Sequence, residues 1–467
     1  MGAARRKLRD LASPPGEAPA PRRVALDLGA TPAQVAAAAL PRSGVWLDGG
    51  DNGAHSIPLS SLGVISARDG QVEMTWGAAT TRLELDPFAA VDLLLECLGS
   101  GGASACPRLF GFLGYDLGAL IEDMPSLPPP DRSVPDMWLT VCDVWLEGAA
   151  RPDGTVEWVV CSDDAWRSPG DLNACIEEFR DAIERPPPSR DGTGADVISR
   201  PDEREYCDAV RRTVERIHAG DLFEANICRR LEVDWVGAAW PLYERLRAYS
   251  PAEYGAYLEV AGWAVLSVSP ELFLKVRAGS VETRPIKGTR RRGGGAEEDA
   301  ELVAELLGSE KEAAELAMIV DLARNDLGRV CAPGTVSVRA HREVVSLASV
   351  HHTFSVVTGE LAPGTTVQRL LRAAFPPGSI TGAPKIEAMR VAYAEEPCRR
   401  GVAMGSIGWL DPRGDMELSV AIRTATLADG IATYHAGCGI VAESDPQAEL
   451  DETAAKARPF LQAVGDG

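Results

Sequence analysis

The stretch MELSVAIRTATLADGIATYHAGCGIV, Met416 to Val441, restricts the possible folds more than any other part of the chain. Strand-forming residues flank Ala428-Asp429-Gly430, and an Asp-Gly turn between two such runs predicts an antiparallel pair. Similar short runs recur before it: GVWLDGG, LFGFLGYDLG, MWLTVCDVWLEG and TVEWVVCS between residues 24 and 180, then RRLEVDWV, AYLEVAGWAVLSVS, LFLKVRAGSVETRPI, TVSVRAHREVV and HHTFSVVTGEL. Helical patterns fall between them, in DPFAAVDLLLECL, DEREYCDAVRRTVERIHAG, SEKEAAELAMIVDLARNDLG, the segment after GAP, and DPQAELDETAAKARPFLQAV. The glycine-rich RRGGGAEED reads as a loop. Strands and helices do not alternate in a βαβ rhythm. The expected fold is therefore α+β, with two antiparallel β-sheets packed as a sandwich and helices on the outside.

A chain of 467 residues has room for two or three domains. Residues 1–23, rich in Pro and Ala, read as a disordered tail, and 186–199, rich in Pro, Gly, Ser and charge, as a linker. These divide the chain into an amino-terminal region, 24–185, and a second region, 200–464. The formal net charge of -21 argues against nucleic acid as a partner. No apolar run reaches the roughly 18 residues of a membrane span, and the first residues lack a signal-peptide core. A cytoplasmic protein is expected. The ten cysteines form no CxxC pair, which suits reduced core thiols. Cys438, between two glycines, reads as part of a buried strand rather than as a nucleophile.

Several residue types point toward chemistry. Glu315 sits at the edge of the apolar stripe of its helix, while Glu449, Glu452 and Lys456 share one face of the last helix. They are either a solvent-facing Glu/Lys face or oxygen ligands for Mg²⁺. In FPPGSITGAPKIEAM, a Gly/Ser/Thr loop leads into a helix near Pro384, with Lys385 adding charge: an ordinary capped turn or an anion site. Arg423, a lone basic residue within an apolar run, either pairs with a structural carboxylate or clamps a substrate carboxylate. His352 is a core histidine or a site residue, and Glu271 could act as a general acid if burial raises its pKa. Lys287, between Pro-Ile and Gly-Thr in TRPIKGTRRRG, is either part of a solvated basic loop or a nucleophile that loses its proton where it is poorly solvated and near other cations. Together these describe a magnesium enzyme for a small polyanion.

Eight segments occur in an order that resembles the chorismate-utilising enzymes: GDLFEANICRR, TRPIKGTRRRG, AELAMIVDLARNDLGRV, HHTFSVVTGEL, GSITGAPKIEAM, GSIGWL, IRTA and AGCGIVAESDPQAELDETAAK, over about residues 200–460. That family includes anthranilate synthase component I, aminodeoxychorismate synthase component I, isochorismate synthase and salicylate synthase. The resemblance implies Mg²⁺ held by Glu315 and Glu452 with Glu449 nearby, bridging to the ring carboxylate of chorismate. It implies that Arg423, Lys456 and the Gly437 backbone hold the enolpyruvyl carboxylate, and that Ser379, Thr381, Gly382, Ala383 and Lys385 line the ring-carboxylate end. His352 would lie by the ring, Thr289 and Glu224 among the substrate contacts, and Glu271 would assist departure of the C4 hydroxyl.

Within the family PIAGT resembles anthranilate synthases, whereas PIKGT, found here, is similar to aminodeoxychorismate synthases, where the lysine adds to C2 and ammonia then attacks C4. The implied activity is thus aminodeoxychorismate synthesis for para-aminobenzoate. An anthranilate-type synthase is the enzyme alternative, and a catalytically weak subunit that activates a glutaminase is the alternative of another class. No glutaminase nucleophile elbow is present, which implies a separate glutamine amidotransferase subunit as the ammonia source. The chain departs from the family at Glu224, where aminating members carry Gln and water-adding members Lys, and at Ala403, where relatives often carry an aromatic residue. Relatives bind tryptophan in the amino-terminal half. Here the corresponding segment reads WLDG, Trp46 to Gly49, and no feedback inhibition by tryptophan is expected.

Overall fold

The computed structural model describes residues 22–50, 53–99, 107–151, 153–162, 166–184, 191–346 and 350–465, without the side chains of Ala195 and Asp196. Two twelve-stranded sheets, antiparallel at every recorded pairing, stack face to face. The core between them contains Val45, Ala256, Leu258 and Val265 from one sheet and Phe110, Phe112, Trp138 and Trp409 from the other. A second core lies between the first sheet and the helices Pro32–Ser43, Pro169–Ile183, Ala239–Tyr249 and Pro446–Gly465. A third lies between the other sheet and the helices Pro87–Gly99, Glu310–Gly328 and Val367–Ala374. The sandwich with outer helices is the expected α+β architecture.

Strands buried on both faces explain the unbroken apolar runs. In Arg108–Leu113, Phe110 and Phe112 enter the inter-sheet core while Leu109 and Leu113 face the helices, as a period of two requires. The helix Glu203–His218 opens with a capping box between Asp202 and Glu205 and buries Tyr206, Ala209, Val210 and Thr213 along one stripe.

The division of the chain does not map onto the sheets. Each sheet draws strands from both sides of residues 186–199: Val45–Asp48 pairs with Tyr254–Val260 in one, and Arg108–Leu113 with Ser406–Leu410 in the other. Residues 193–199, read as linker, belong to the strand Thr193–Arg200, which pairs with Glu224–Val236. Turn-type composition hid them, because pairing with a long neighbour overrides local preference. Residues 186–190 lie outside the described residues. Of the tail 1–23, residues 1–21 also lie outside them, and Arg22 and Arg23 begin the strand Arg22–Leu26.

Two further corrections concern the second half. The run from Met416 is not one arm of a single pair, because Met416–Val420 lies in one sheet and Thr424–Ala428 in the other. The chain changes sheets through Arg423, whose φ of 49° is left-handed. The hairpin at Asp429-Gly430, joining Thr424–Ala428 to Ile431–Ile440, is as expected. RRGGGAEED runs into a helix, Ala296–Gly308, and the arginine run is not a free basic patch. Arg290 pairs with Glu305 and Glu312, Arg291 with Glu298, and Arg292 with Asp299. No helix among the described residues is long and apolar enough to cross a membrane. The nine described cysteines are free thiols, eight of them buried, and Cys106 lies outside the described residues.

Candidate active site

The strand Ile286–Arg291 lies at one end of its sheet, with the helices Ala296–Gly308 and Glu310–Gly328 packed on it. Between Lys287 and Thr289 its pairing with Val350–Glu360 slips at Gly288, which has a φ of 81°. Such a bulge re-aims the side chains beside it. Lys287 reaches into the protein, its side chain 11% exposed, and its Nζ lies 2.5 Å from Oε1 of Glu224. Glu224 begins the strand Glu224–Val236, is fully buried, and leaves its Oε2 without a hydrogen-bond partner. Gly439 makes room for the pair. A Cβ there would stand 2.2 Å from Glu224 Oε1 and 3.1 Å from Lys287 Nζ.

This arrangement corrects the expectation of a lysine near other cations. Burial pulls the Lys287 pKa down and Lys456 adds to that, but Glu224 and Glu315 beside it more than offset both, and the net shift is upward. Lys287 rests as an ammonium. Glu271 takes the opposite state. Burial pushes its carboxyl up to about 7, against the Ser379 hydroxyl, Lys287 and the Ile286 N–H, which favour the anion. Glu271 is thus partly protonated at neutral pH, near the lysine.

His352 pairs with Thr289 across the strands, and its Nδ1 lies 2.8 Å from Thr289 Oγ1 and 3.3 Å from the Gly288 carbonyl. Its Nε2 lies 3.4 Å from Nη2 of Arg423. A guanidinium only donates, so Nε2 accepts and Nδ1 carries the proton. Burial and the Arg423 charge lower the His352 pKa to about 4, leaving a neutral ring. Arg423 otherwise donates to Ser250 Oγ, and among the described residues it makes no ion pair with a carboxylate. Its pKa is lowered by burial. The alternative of a structural carboxylate partner is thereby removed.

The helices Glu310–Gly328 and Pro446–Gly465 supply the acids. Glu315 has a raised pKa, from burial first, with Glu224 and Glu452 adding to it against Lys287. Glu449 is buried and accepts from Ser444. Glu452 pairs with Lys456 at 2.7 Å, and Lys456 Nζ also donates to the Gly437 carbonyl at 2.9 Å. Donor atoms of Cys438, Glu449 and Glu452 lie within 4.8 Å of one another. Glu452 and Lys456 are exposed and form the local i,i+4 pair that the solvent-face reading expects, whereas Glu449 is buried and Glu452 contributes to the raised pKa of Glu315.

The GSITGAPK loop folds as the turn Gly378–Ile380 and the short strand Gly382–Ala383, paired with Glu224 and Ala225. Gly382, with a φ of 124°, is needed because a Cβ would stand 2.2 Å from the Glu224 carbonyl. Ser379 faces Glu271, whereas the Thr381 hydroxyl donates to the Pro377 carbonyl. Ala383 is buried beside Glu224. Lys385 does not add free charge to this loop. Its Nζ donates to Asp326 and to the Ala374 carbonyl, both at 2.6 Å.

Sequence reasoning missed what braces the loop. Buried Arg400 pairs with Glu396 at 2.6 Å and donates to the Ile380 and Asn226 carbonyls, and Glu396 accepts from the Cys228 N–H. A Glu and an Arg four apart at the end of a helix signal only a surface pair until the fold buries them. Cys438 was also read only as a strand residue, and its thiol proves to adjoin the acids.

Residues 44–462 match the family model described as chorismate binding enzyme. The chain is 37% identical over 372 residues to anthranilate synthase component 1 of Cereibacter sphaeroides, covering 77% of this chain and 73% of that protein. It is 35% identical over 410 residues to aminodeoxychorismate synthase component 1 of Salmonella typhimurium, covering 83% and 84%. The crystal structure of anthranilate synthase component I from Streptococcus pneumoniae superposes with a TM-score of 0.77 at 30% identity, covering 87% of this chain and 92% of that one.

Proposed function

The chain belongs to the chorismate-binding enzymes, and on that premise we propose that it is an aminodeoxychorismate synthase component I. It would convert chorismate and ammonia to 4-amino-4-deoxychorismate. The observation that carries the reading is a nearly buried lysine, Lys287, facing the same site as an acid, Glu271, whose pKa lies near 7. Amination of chorismate at C4 needs both: an acid to protonate the leaving hydroxyl and, in the covalent route, an amine to occupy C2.

The donor set fits Mg²⁺. Glu315 is held above its ordinary pKa with Glu224 and Glu452 adding to the cause, a concentration of carboxylates that a hard divalent cation relieves. Glu315, Glu449 and Glu452 would hold the ion, which when bound supplies positive charge to the ring carboxylate. Arg423, the site cation without a carboxylate partner, receives the second carboxylate of the substrate with Lys456 beside it. His352, neutral and fixed by Arg423 and Thr289, packs by the ring without adding charge.

In the proposed chemistry Lys287 Nζ bonds to C2 as the ring double bonds shift and the C4–O bond breaks, and Glu271 gives its proton to the departing hydroxyl to form water. Ammonia then bonds to C4, the double bonds shift back, the C2–N bond to Lys287 breaks, and Glu271 recovers a proton from the new ammonium. The ammonia comes from a glutamine amidotransferase partner, as the component naming of the relatives suggests. Anthranilate synthase relatives of similar identity keep a second reading in view, with anthranilate and pyruvate as products. Purified chain incubated with chorismate, Mg²⁺ and ammonium, followed by chromatography with mass detection, separates the two by product mass, and a Lys287→Ala variant tests the covalent route.

A further inference from the structure

Glu271 and Ser379 form one wall of a cavity of about 30 Å³. Buried apolar side chains make up most of the rest, among them Phe273, Leu274, Ile319, Leu327 and Val420. Asp326 is the other charged group on the wall, and Lys385 neutralises it at 2.6 Å. Thr283, Ala323 and Gly378, also on the wall, are half-buried, so the cavity approaches solvent there, whereas Glu271 at its inner side is 3% exposed. A molecule the size of water or ammonia needs roughly 10–15 Å³ of such space, so about two fit.

We propose that ammonia reaches C4 of the substrate through this cavity. The proposal rests on the reading of the chain as an enzyme that aminates chorismate at C4.

Three arguments support it. The first is position. In that chemistry the departing water takes its proton from Glu271 and the new ammonium returns one to it, so both small molecules pass the carboxyl that walls the cavity. The second is order. Ammonia bonds to C4 only after chorismate is seated and Lys287 has added to C2, so it arrives by a path that the substrate does not fill. Space for two molecules beside Glu271 lets ammonia wait while water leaves. The third is charge. An apolar lining whose one outer carboxylate is already paired offers an ammonium ion nothing for its lost hydration, but admits neutral ammonia at far smaller cost. Neutral ammonia is the form whose lone pair attacks C4.

The test narrows the cavity from two separate elements, with Ala323→Leu on the helix Glu310–Gly328 and Thr283→Leu on the strand Ser280–Arg284, and with Ala323→Ser as the size control. Each full-length variant is assayed with chorismate, Mg²⁺ and ammonium for kcat, the KM for ammonium and the KM for chorismate. Both leucines should raise the KM for ammonium about tenfold or more, while the KM for chorismate and kcat at saturating ammonium stay within about twofold of wild type and Ala323→Ser behaves as wild type. A chorismate KM that is kept also shows that the variant is folded. A wild-type KM for ammonium in both leucine variants overturns the passage, and so does a loss that falls equally on the KM for chorismate, which is what a merely structural role predicts. Absence of any aminated product from the wild-type chain overturns the amination reading instead.

Discussion

Replacement of Glu271 by Gln separates stability from catalysis in a way that depends on pH. Burial raises the carboxyl from 4.5 to about 7, so the folded state binds its proton more tightly than the unfolded chain does. The stabilisation from that protonation is fully present below about 4.5 and is lost as pH rises through about 7. The gap corresponds to roughly 3 kcal/mol at pH 8, where the wild type must carry an ionised, buried Glu271 or hold its proton at a cost. Gln has no such cost. Its amide leaves an N–H₂ beside Ser379 to be satisfied, which reduces the gain to about 1–3 kcal/mol. Chemical denaturation should therefore show Glu271→Gln more stable than wild type at pH 8, with the advantage shrinking toward pH 5. The same variant should lose about 10²–10⁴-fold in kcat, the usual contribution of a general acid. Wild-type kcat should fall about tenfold per pH unit above about 7, as the protonated acid is depleted. A stability difference that does not change between pH 5 and 8 would refute the reasoning, because it would mean that Glu271 does not carry its proton in the folded protein.

Other perturbations follow from the same geometry. Gly439→Ala places a Cβ 2.2 Å from Glu224 Oε1, so the Lys287–Glu224 pair must separate; kcat should fall at least about tenfold and stability should drop by about 1–3 kcal/mol on denaturation, and unchanged kinetics would count against the pair. Arg400→Met leaves Glu396 buried without its partner and should cost about 3–5 kcal/mol on denaturation, with weakened chorismate binding because the Ile380 and Asn226 carbonyls lose their donor. Chelation by EDTA should abolish turnover and excess Mg²⁺ restore it; full activity in EDTA would remove Glu315, Glu449 and Glu452 as a metal set.

Local pattern carried much of this protein, and it stopped where distant segments decide. Alternation and turn residues marked the hairpin at Asp429-Gly430 and the strands around Phe110 and Trp138, because each strand's own residues set its buried faces. Nothing local marked that Met416–Val420 and Thr424–Ala428 lie in different sheets, or that Thr193–Arg200 finds its partner in Glu224–Val236. The candidate site divided in the same way. Glu315 at the edge of its helix stripe and Arg423 as a lone basic residue within an apolar run were readable as residue types in unusual surroundings. The charge state of Lys287 was not, since it depends on Glu224, 63 positions away, and on Glu315 from another helix. Lys385 was misjudged for the same reason: Asp326, which pairs with it, is 59 positions distant.

The central claim is the identity of the product. Mass detection of the material formed from chorismate, Mg²⁺ and ammonium should show 4-amino-4-deoxychorismate with its enolpyruvyl group retained, and its loss in Lys287→Ala. Anthranilate accompanied by pyruvate, formed equally well by Lys287→Ala, would contradict the account.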